Sequence, residues 1–251
     1  MTVRQNKFAL RGYSVLTRLI AGHRASKIFA IGLNKTGTTS LHRIFQDLGC
    51  RSYHGTKWRE TSRPTIYRFY DAFCDGIPND FRRLDAMFPN ARFILQVRDL
   101  DAWLDSRLEH IRRLPKGKVR DTEWTATESA LEAWIQKWNA HHLAVLSHFR
   151  NRPDDLLVVN YIRDPGAAAK IAVFLGHPVA IDKHHFNRNP GAGAELKNRD
   201  MIAAALDRLG VPEGEWKNDI HCPSLGGEVA GSLRADTSQI AAGAATRDGL
   251  V

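Results

Sequence analysis

The stretch that decides the fold runs from residue 27 to residue 49 and reads KIFAIGLNKTGTTSLHRIFQDLG. It begins with an apolar run at 28–31 that has the length and β-branched content of a buried parallel strand. After a short loop, apolar residues repeat at the spacing of one helix face: Leu41, Ile44, Phe45 and Leu48. A strand, a glycine-bearing loop and a helix in this order predict a phosphate-binding site, because loop amides converge there and the helix dipole adds positive charge.

The loop between this strand and helix concentrates hydrogen-bond donors. Lys35 supplies a full positive charge, no acidic residue lies nearby, and hydroxyls stand at the first helical turn in Thr38, Thr39 and Ser40. Gly32 and Gly37 have the spacing of a Walker A loop, but that motif requires a lysine directly after the second glycine. A plain strand-turn-helix junction with a solvated lysine is the alternative, and the number of donors disfavours it.

A second informative segment, residues 91–107, reads ARFILQVRDLDAWLDSR. Its apolar residues at 93–95 predict another buried strand, and Arg98 follows at the carboxyl end of that strand. A helix is expected to begin near Asp99 or Asp101, either of which could cap it. An arginine can donate two charge-assisted hydrogen bonds to one phosphate, although Arg98 could instead pair with a neighbouring acid.

Two features together, the Lys-Thr-Gly-Thr-Thr-Ser run at 35–40 and the eight-residue spacing between Arg98 and Ser106, resemble the PAPS-dependent sulfotransferase family. The resemblance covers about the first half of the chain. It implies an α/β protein with a three-layer P-loop-type fold, in which helices flank a central parallel sheet. It implies that Lys35 contacts the 5′-phosphosulfate group of PAPS and that Arg98 and Ser106 bind the 3′-phosphate. The residues implied to hold the 5′-phosphate are Thr36, Gly37, Thr38, Thr39 and Ser40.

A loop near residue 188 is a further point of resemblance. Residues 185–191 occupy the place where the family carries a basic, glycine-containing loop over the adenine and the 3′-phosphate. The family usually has Lys-Gly there, whereas this chain has Pro190-Gly191. Arg188 is therefore the one charge of this loop that the resemblance assigns to the cofactor, and a turn with an exposed arginine fits the same residues.

A general base must accept the proton of the acceptor, and the family uses a histidine in some branches and an acid in others. The candidates in this chain are Asp75, His54 and Asp71. Asp75 is favoured, because an acid at the carboxyl end of a strand faces the crevice in which α/β sheets bind ligands. Bacterial members carry an acid in an Asp-x-Pro-like context, and this chain has one residue more between Asp75 and Pro78. Each candidate could instead be structural.

The rest of the chain supplies the other elements of such a fold. Short strands are predicted at 51–54, 72–74 and 156–161, and a helix interrupted at Pro64 is predicted within 58–73. Further helices are predicted at 79–87, 122–149, 165–176 and 194–209. The tryptophans of the longest helix lie on its apolar stripe, and we expect them in the core.

The length and net charge of the chain limit its number of domains and the kinds of ligand that it favours. The chain has 251 residues, enough for one α/β domain, and its 36 basic and 27 acidic residues give a net charge of +9. We expect a basic, helical N-terminal extension at 1–26, a sulfotransferase-like α/β domain at 27–222, and a disordered tail at 223–251, where Gly, Ala and Ser dominate. The positive charge favours an anionic ligand or surface.

The N-terminal extension also bears on location. Residues 1–26 contain five basic residues and no acidic one, so peripheral contact with an anionic membrane is one option. A helix docked on the core and a poorly ordered extension are the others. The sequence has no apolar run long enough for a signal or a spanning helix, and its three cysteines are scattered. We therefore expect a cytoplasmic location, with or without membrane association.

These observations favour sulfuryl transfer from PAPS to a hydroxyl or amine acceptor by in-line displacement. The acceptor is a small molecule, a carbohydrate or a lipid. No metal is expected, since the adjacent His141 and His142 point to different sides of a helix, and no nucleic acid, since aromatic and basic residues are not interleaved. Two alternatives stay open: a P-loop nucleotide kinase or phosphotransferase, and a non-catalytic anion-binding module on the same fold.

Overall fold

The computed structural model describes residues 26–61, 65–114, 126–177 and 195–226. These residues form two compact units. The first unit contains the described residues up to Val97 and those from Asp155 to 177, and the second contains those from Arg98 to Asp154 and from 195 onward. The chain therefore leaves the first unit after Val97 and returns to it at Asp155.

A parallel sheet forms the centre of the first unit. Its five strands are β1 (Ile28–Ala30), β2 (Ser52–His54), β3 (Ala72–Cys74), β4 (Arg92–Gln96) and β5 (Leu156–Val159). They lie in the order β2-β3-β1-β4-β5, and every neighbouring pair is parallel. All strands therefore end at one side of the sheet, which we call the carboxyl edge. After β1 the chain forms β2 and β3 on one side of β1, and then β4 and β5 on its other side. The loops after β1 and β4 therefore run in opposite directions, and the topological switch point lies between these two strands.

Seven α-helices accompany the strands in the described residues. In chain order they are α1 (Thr38–Asp47), α2 (Ile66–Phe69), α3 (Phe81–Met87), α4 (Leu100–Arg112), α5 (Glu128–Phe149), α6 (Ala167–Phe174) and α7 (Arg199–Arg208). Short 3-10 turns lie at Thr56–Arg59, Pro153–Asp155, Glu213–Glu215 and Pro223–Leu225. Helices α1, α2, α3 and α6 belong to the first unit, and α4, α5 and α7 belong to the second.

One face of the sheet packs against α1 and α6. Alternate residues of each strand point to this face, which follows from the two-residue period of a strand. The apolar cluster contains residues of the strands and of both helices, among them Ile28, Ala30, Ile94, Leu41, Ile44, Phe45, Ala168 and Ile171. The apolar stripe that predicted α1 is therefore its buried face.

The opposite face of the sheet is aromatic. The ring of Phe29 in β1 lies 5.3 Å from that of Phe73 in β3 and 5.5 Å from that of Phe93 in β4, measured between centroids. Trp58 and Tyr67 cover these rings from the 3-10 turn and from α2. Elements of the chain thus cover both faces, and the predicted α/β fold with a central parallel sheet flanked by helices is confirmed.

Several elements differ from the sequence prediction: α5 begins at Glu128 and α7 at Arg199, later than the predicted starts at 122 and 194. Two other differences have a visible cause. The helix predicted within 58–73 is replaced by a 3-10 turn and the four-residue α2. Tertiary bonds override the helical pattern there, because Tyr67 Oη donates to the Trp58 carbonyl at 2.6 Å and Trp58 Nε1 donates to the Cys74 carbonyl at 3.1 Å. Helix α6 begins later than predicted, since Asp164 Oδ1 accepts a bond from the Gly166 amide at 2.8 Å and forms a turn.

The second unit is helical in its described part. Helix α7 packs against both α4 and α5. Trp103, Trp134 and Trp138 are buried, as the apolar stripe predicts for the two tryptophans of α5. After α7 the chain forms a strap, residues 211–222, which α5 holds in place. Asn139 Oδ1 accepts a bond from the Cys222 amide at 2.9 Å, and His142 Nδ1 donates to the Ile220 carbonyl at 2.9 Å.

Candidate active site

The glycine loop, residues 32–37, leaves β1 at the switch point of the sheet. Ile31 still pairs as a strand residue, since its amide donates to the Ile94 carbonyl at 2.8 Å. Gly32 pairs instead with the side-chain amide of Gln96: its N–H donates to Oε1 at 3.0 Å, and its carbonyl accepts from Nε2 at 3.2 Å. A Cβ on Gly32 would lie 2.0 Å from the Gln96 carbonyl oxygen, so the first residue of the loop must be glycine.

The loop then curls tightly. Lys35 and Gly37 both have left-handed backbone conformations, with φ of 66° and 95°. Inside the curl, Thr36 Oγ1 donates to the Leu33 carbonyl at 2.6 Å. Gly37 lies against the ring of Tyr161, and a Cβ there would be 3.0 Å from Cδ1 of that ring. The loop is therefore held at its start by β4 and at its end by Tyr161, the second residue after β5.

Helix α1 begins directly after this loop, so its first-turn amides lie at the end of the loop. Gly37 is the N-cap, no side chain caps the helix, and the first turn contains no acidic residue. The amide of Leu41 makes the first bond to the Gly37 carbonyl, at 3.0 Å. The amides before that bond have no acceptor within the helix, and they belong to Thr38, Thr39 and Ser40. This is the donor arrangement that binds an anion.

The side chains of the predicted 5′-phosphate ligands differ in what they offer. Lys35 and Thr39 are partly exposed, whereas Thr38 and Ser40 are buried. The Thr36 hydroxyl proton is already donated within the loop, so Thr36 has its amide left to offer a phosphate. The loop therefore presents mainly backbone donors and one lysine.

His54 and Asp75 lie at the same edge as the loop. His54 ends β2 and stands opposite Cys74, the last residue of β3, and Asp75 follows directly. His54 Nε2 lies 3.3 Å from Thr38 Oγ1, which links it to the first turn of α1. Both residues therefore lie at the carboxyl edge: Asp75 follows β3, the neighbour of β1, and His54 ends β2, one strand further away.

Backbone conformation singles out the same positions. Among the residues that the structure describes, two non-glycine residues have a positive φ: Lys35 at 66° and Asp75 at 108°. Side chains disfavour this region, and such conformations cluster at active sites and ligand clamps. Gly76 continues the unusual path with φ of 93°. Lys35 and Asp75, two of the three residues that the sequence nominates for catalysis, are thus held in rare backbone conformations, whereas His54 is not.

A second histidine, which the sequence reasoning missed, stands behind His54. The rings of His42 and His54 are 5.5 Å apart between centroids. His42 Nδ1 lies 2.8 Å from Ser52 Oγ, and Gln46 Nε2 lies 3.1 Å from His42 Nε2. Burial lowers the pKa of His42, and the nearby His54 and Arg43 lower it further. The four-residue spacing from Thr38 to His42 was the available signal, because it places both on one face of α1.

Asp71, the third candidate base, is at the wrong edge. It precedes β3, whereas Asp75 follows it, so Asp71 lies at the amino-terminal edge of the sheet. Its buried carboxylate accepts three bonds from Arg51: from the amide at 3.0 Å, from Nε at 3.1 Å and from Nη2 at 3.1 Å. Asp71 is therefore a structural residue that ties the start of β2 to the start of β3.

Arg98 and Ser106 belong to the second unit, before and within α4. Both are partly exposed. Burial lowers the pKa of Arg98, and the acids Asp99, Asp105 and Asp101 oppose that shift. Asp99 occupies the N-cap position of α4, but its side chain makes no capping bond.

The strap caps α4 instead. The carbonyls of Asn218 and Trp216 accept bonds from the amides of Leu100 and Asp101 at 2.9 and 3.1 Å. Lys217 Nζ adds an ion pair with Asp101 at 2.6 Å. These two first-turn amides are therefore occupied by protein carbonyls and are not available to an anion.

The remaining predictions concern parts of the chain other than the carboxyl edge and the segment from Arg98 to Ser106. Arg188, the extension at 1–26 up to residue 25, and the tail from 227 onward lie outside the described residues. Within the described ranges, no three His, Cys, Asp or Glu side chains are grouped to hold a metal ion. No helix in those ranges is both long and apolar enough to cross a bilayer.

Comparison with known proteins connects this geometry to a family. A family model described as a sulfotransferase domain matches residues 27–162, which is more than half of the chain. Among solved structures, a sulfotransferase from Alicyclobacillus acidocaldarius is 15% identical, with a TM-score of 0.43 over 77% of this chain and 99% of that one. The mouse sulfotransferase SULT7A1, solved with PAP, is 16% identical, with a TM-score of 0.46 over 82% of this chain and 73% of that one.

A search of curated proteins returned no match. The domain match alone carries the assignment. It spans the glycine loop, His54, Asp75, and the Arg98–Ser106 segment, and it ends just beyond Tyr161. The chain belongs to the sulfotransferase domain family.

Proposed function

We propose that this protein transfers a sulfuryl group from PAPS to a hydroxyl or amine acceptor by in-line displacement. The observation that carries the proposal is the glycine loop at the switch point of the sheet. It combines the helix N-terminus of α1, a first turn without acidic residues, and a lysine in a left-handed conformation. Backbone donors, a helix N-terminus and one cation together suit a 5′-phosphate group.

The residues present fit the 5′ end of PAPS. The amides of Thr36, Gly37, Thr38, Thr39 and Ser40 are the proposed ligands of the phosphate. Because Gly32 admits no Cβ and Gly37 lies on Tyr161, the loop backbone is fixed before a ligand arrives. Preorganised donors stabilise developing charge without a reorganisation cost, which makes them effective in catalysis.

Lys35 has the proposed role of stabilising the leaving group. PAPS, when bound, supplies a sulfuryl group joined to the 5′-phosphate through a bridging oxygen. As the bond from sulfur to that oxygen breaks and the bond to the acceptor forms, negative charge builds on the phosphate side. A lysine beside the bridging oxygen lowers the energy of this charge, and removal of one such donor typically costs roughly 10²- to 10³-fold in rate.

Asp75 is the proposed general base, and His54 is the second candidate. Each stands at the carboxyl edge, and each could take the proton that the acceptor loses. Two observations favour Asp75: its partly exposed carboxylate and its rare backbone conformation. His54 Nε2 is already engaged with Thr38 Oγ1, which suits a role in holding the first turn of α1.

Three further residues are proposed from the sequence resemblance. Arg98 and Ser106 are the proposed ligands of the 3′-phosphate, and Arg188 is a proposed contact near the adenine. The acceptor stays a prediction as a class: a small molecule, a carbohydrate or a lipid. The expectations of a metal-free reaction and of a cytoplasmic location, with or without membrane contact through 1–26, also stay predictions.

Calorimetric titration with 3′,5′-ADP, 5′-AMP and ATP with magnesium tests the proposal. Wild type should bind 3′,5′-ADP best and without magnesium, and Arg98→Ala should lose about tenfold or more of that affinity while 5′-AMP binding is unchanged. Arg112→Ala is the matched control, since Arg112 is an exposed arginine of α4 paired with Glu109 at 3.3 Å.

Two other results would contradict the proposal. Preference for ATP with magnesium would favour a nucleotide kinase or phosphotransferase. Binding of 3′,5′-ADP without sulfuryl transfer to any hydroxyl or amine in an acceptor screen would favour a non-catalytic anion-binding module.

A further inference from the structure

Gln96 is a buried polar residue that the proposed reaction does not use directly. It ends β4 and has none of its surface exposed. Its side-chain amide makes two bonds with one residue: Oε1 accepts from the Gly32 N–H at 3.0 Å, and Nε2 donates to the Gly32 carbonyl at 3.2 Å. The amide therefore binds Gly32 as a backbone residue of a neighbouring strand would.

The bonds between Gln96 and Gly32 take the place of the next backbone hydrogen bonds between β1 and β4. The ladder runs up to the bond from the Ile31 amide to the Ile94 carbonyl. At the following position the side chain of Gln96 takes over, and Gly32 approaches the β4 backbone too closely for any Cβ. The start of the loop is thus tied to the last residue of β4, and Lys35 lies three residues further along.

We propose that Gln96 is a positioning residue, which holds the glycine loop in the conformation that binds the 5′ anion. The inference rests on the proposed function, because it concerns the loop assigned to the 5′-phosphate. Without the amide, the Gly32 N–H and carbonyl lose buried partners, and the loop gains conformations in which its amides diverge. The affinity for a 5′-phosphate should fall, while contacts elsewhere on the nucleotide persist.

Gln96→Met is the main test, because methionine has a similar length and cannot make either bond. Calorimetry with 3′,5′-ADP, 3′-AMP and 5′-AMP separates the contributions of the two phosphates. The ratio of dissociation constants for 3′-AMP and 3′,5′-ADP reports the 5′-phosphate, and we expect it to fall about tenfold or more. The ratio for 5′-AMP and 3′,5′-ADP reports the 3′-phosphate and should not fall.

Phe93→Leu is the matched control for lost stability. Phe93 is a fully buried residue of the same strand, and its ring packs on Phe29 at the aromatic face. We expect this variant to melt at a lower temperature than wild type with both ratios unchanged. If Gln96→Met also melts lower but keeps its 5′-phosphate ratio, Gln96 supports the fold alone and the proposal is wrong.

Gln96→Glu gives a signature that a merely structural role would not produce. The protonated carboxyl can donate to the Gly32 carbonyl and accept from its amide, whereas the carboxylate can only accept. Burial favours the protonated form. For this variant, the ratio of dissociation constants for 3′-AMP and 3′,5′-ADP is divided by the wild-type ratio at the same pH. This quotient should rise toward one as the pH falls from about 8 to about 6. A flat profile would contradict the proposal.

Hydrogen exchange of the ligand-free protein tests the positioning role of Gln96 independently of the proposed sulfuryl transfer. The amides of residues 32–37 should exchange faster in Gln96→Met than in Phe93→Leu. If wild type binds no 3′,5′-ADP, the proposed function is wrong, and exchange alone then decides about Gln96. Equal exchange in the two variants overturns the positioning role, and faster exchange in Gln96→Met upholds it.

Discussion

Asp75 combines a charged side chain with a backbone that suits glycine. Its φ of 108° lies in a region that costs of order 1–3 kcal/mol for a residue with a Cβ. The neighbouring Gly76 has φ of 93°, so the chain turns sharply as it leaves β3. A sequence under selection for stability alone would favour glycine at both positions, and the carboxylate therefore needs a reason other than stability.

We predict that Asp75→Gly makes the protein more stable and less active. Relief of the backbone strain should raise the free energy of unfolding by about 1 kcal/mol, measured by denaturant titration. Loss of the proposed general base should lower kcat by roughly 10²- to 10⁴-fold.

Asp75→Asn is the control, since it keeps a side chain at this φ and removes the charge. It should lose activity without gaining the stability of Asp75→Gly. Full activity of both variants would move the role of base to His54, whose replacement by Gln would then abolish turnover.

The residue scale also shows where sequence reasoning succeeds. The identity of Lys35 and Asp75 as candidates follows from their local pattern, a glycine loop and a strand end. The structural role of Asp71 does not, although the strand at 72–74 already places Asp71 and Asp75 at opposite edges of the sheet. The bonds from Arg51 that settle its role join residues 20 positions apart.

At the scale of elements, the burial of His142, which joins α5 to the strap, makes native stability depend on pH. Burial lowers the pKa of His142 to about 3, with His141 and His221 adding to that shift and the bond to Ile220 opposing it. The unfolded chain takes up a proton near pH 6.5, whereas the native histidine stays neutral down to about pH 3. Native stability is therefore fully present above pH 6.5 and falls as the pH drops below it.

We predict that His142→Phe flattens this pH dependence. Wild type should lose about 1 kcal/mol of unfolding free energy per pH unit below 6.5 through this one group, and the variant should not. The phenyl ring keeps the packing on Trp138 but loses the bond to the Ile220 carbonyl, so the variant should be less stable than wild type at pH 7.5.

Leu131→Ala, at a buried position of the same helix, is the control for general destabilisation. Its unfolding free energy should be lower at every pH with the wild-type slope. A His142→Phe variant that retains the wild-type slope would contradict the assignment.

Elements themselves were largely predictable. The hydrophobic runs and helical periods locate all five strands and the helices other than α2, although the starts of α5 and α7 are predicted six and five residues too early. What local pattern could not supply is pairing between distant segments. The bond between Gln96 and Gly32 spans 64 positions, and the strap that caps α4 is more than a hundred residues away from it. No period in the sequence reports such contacts.

At the scale of the whole molecule, 36 basic and 27 acidic residues give a net positive charge that attracts an anionic ligand. Charges beyond a Debye length of about 10 Å are screened at 0.1 M salt. Part of the attraction for a nucleotide with two phosphates should therefore be sensitive to ionic strength, and the part that comes from loop amides should not.

We predict that the affinity for 3′,5′-ADP falls by about tenfold when sodium chloride rises from about 50 to about 500 mM. Adenosine, which lacks phosphates, serves as the control and should bind equally at both concentrations. Calorimetry measures both. An unchanged affinity for 3′,5′-ADP would show that short-range contacts alone bind the phosphates.

The placement of Trp58 has a practical consequence. It is the one tryptophan in the described part of the first unit, since Trp103, Trp134, Trp138 and Trp216 all belong to the second. Its indole N–H binds the carbonyl of Cys74, the residue directly before Asp75, and its ring stacks on Phe29. The difference in fluorescence emission between wild type and Trp58→Phe therefore isolates a natural optical probe at the edge where sulfuryl transfer is proposed.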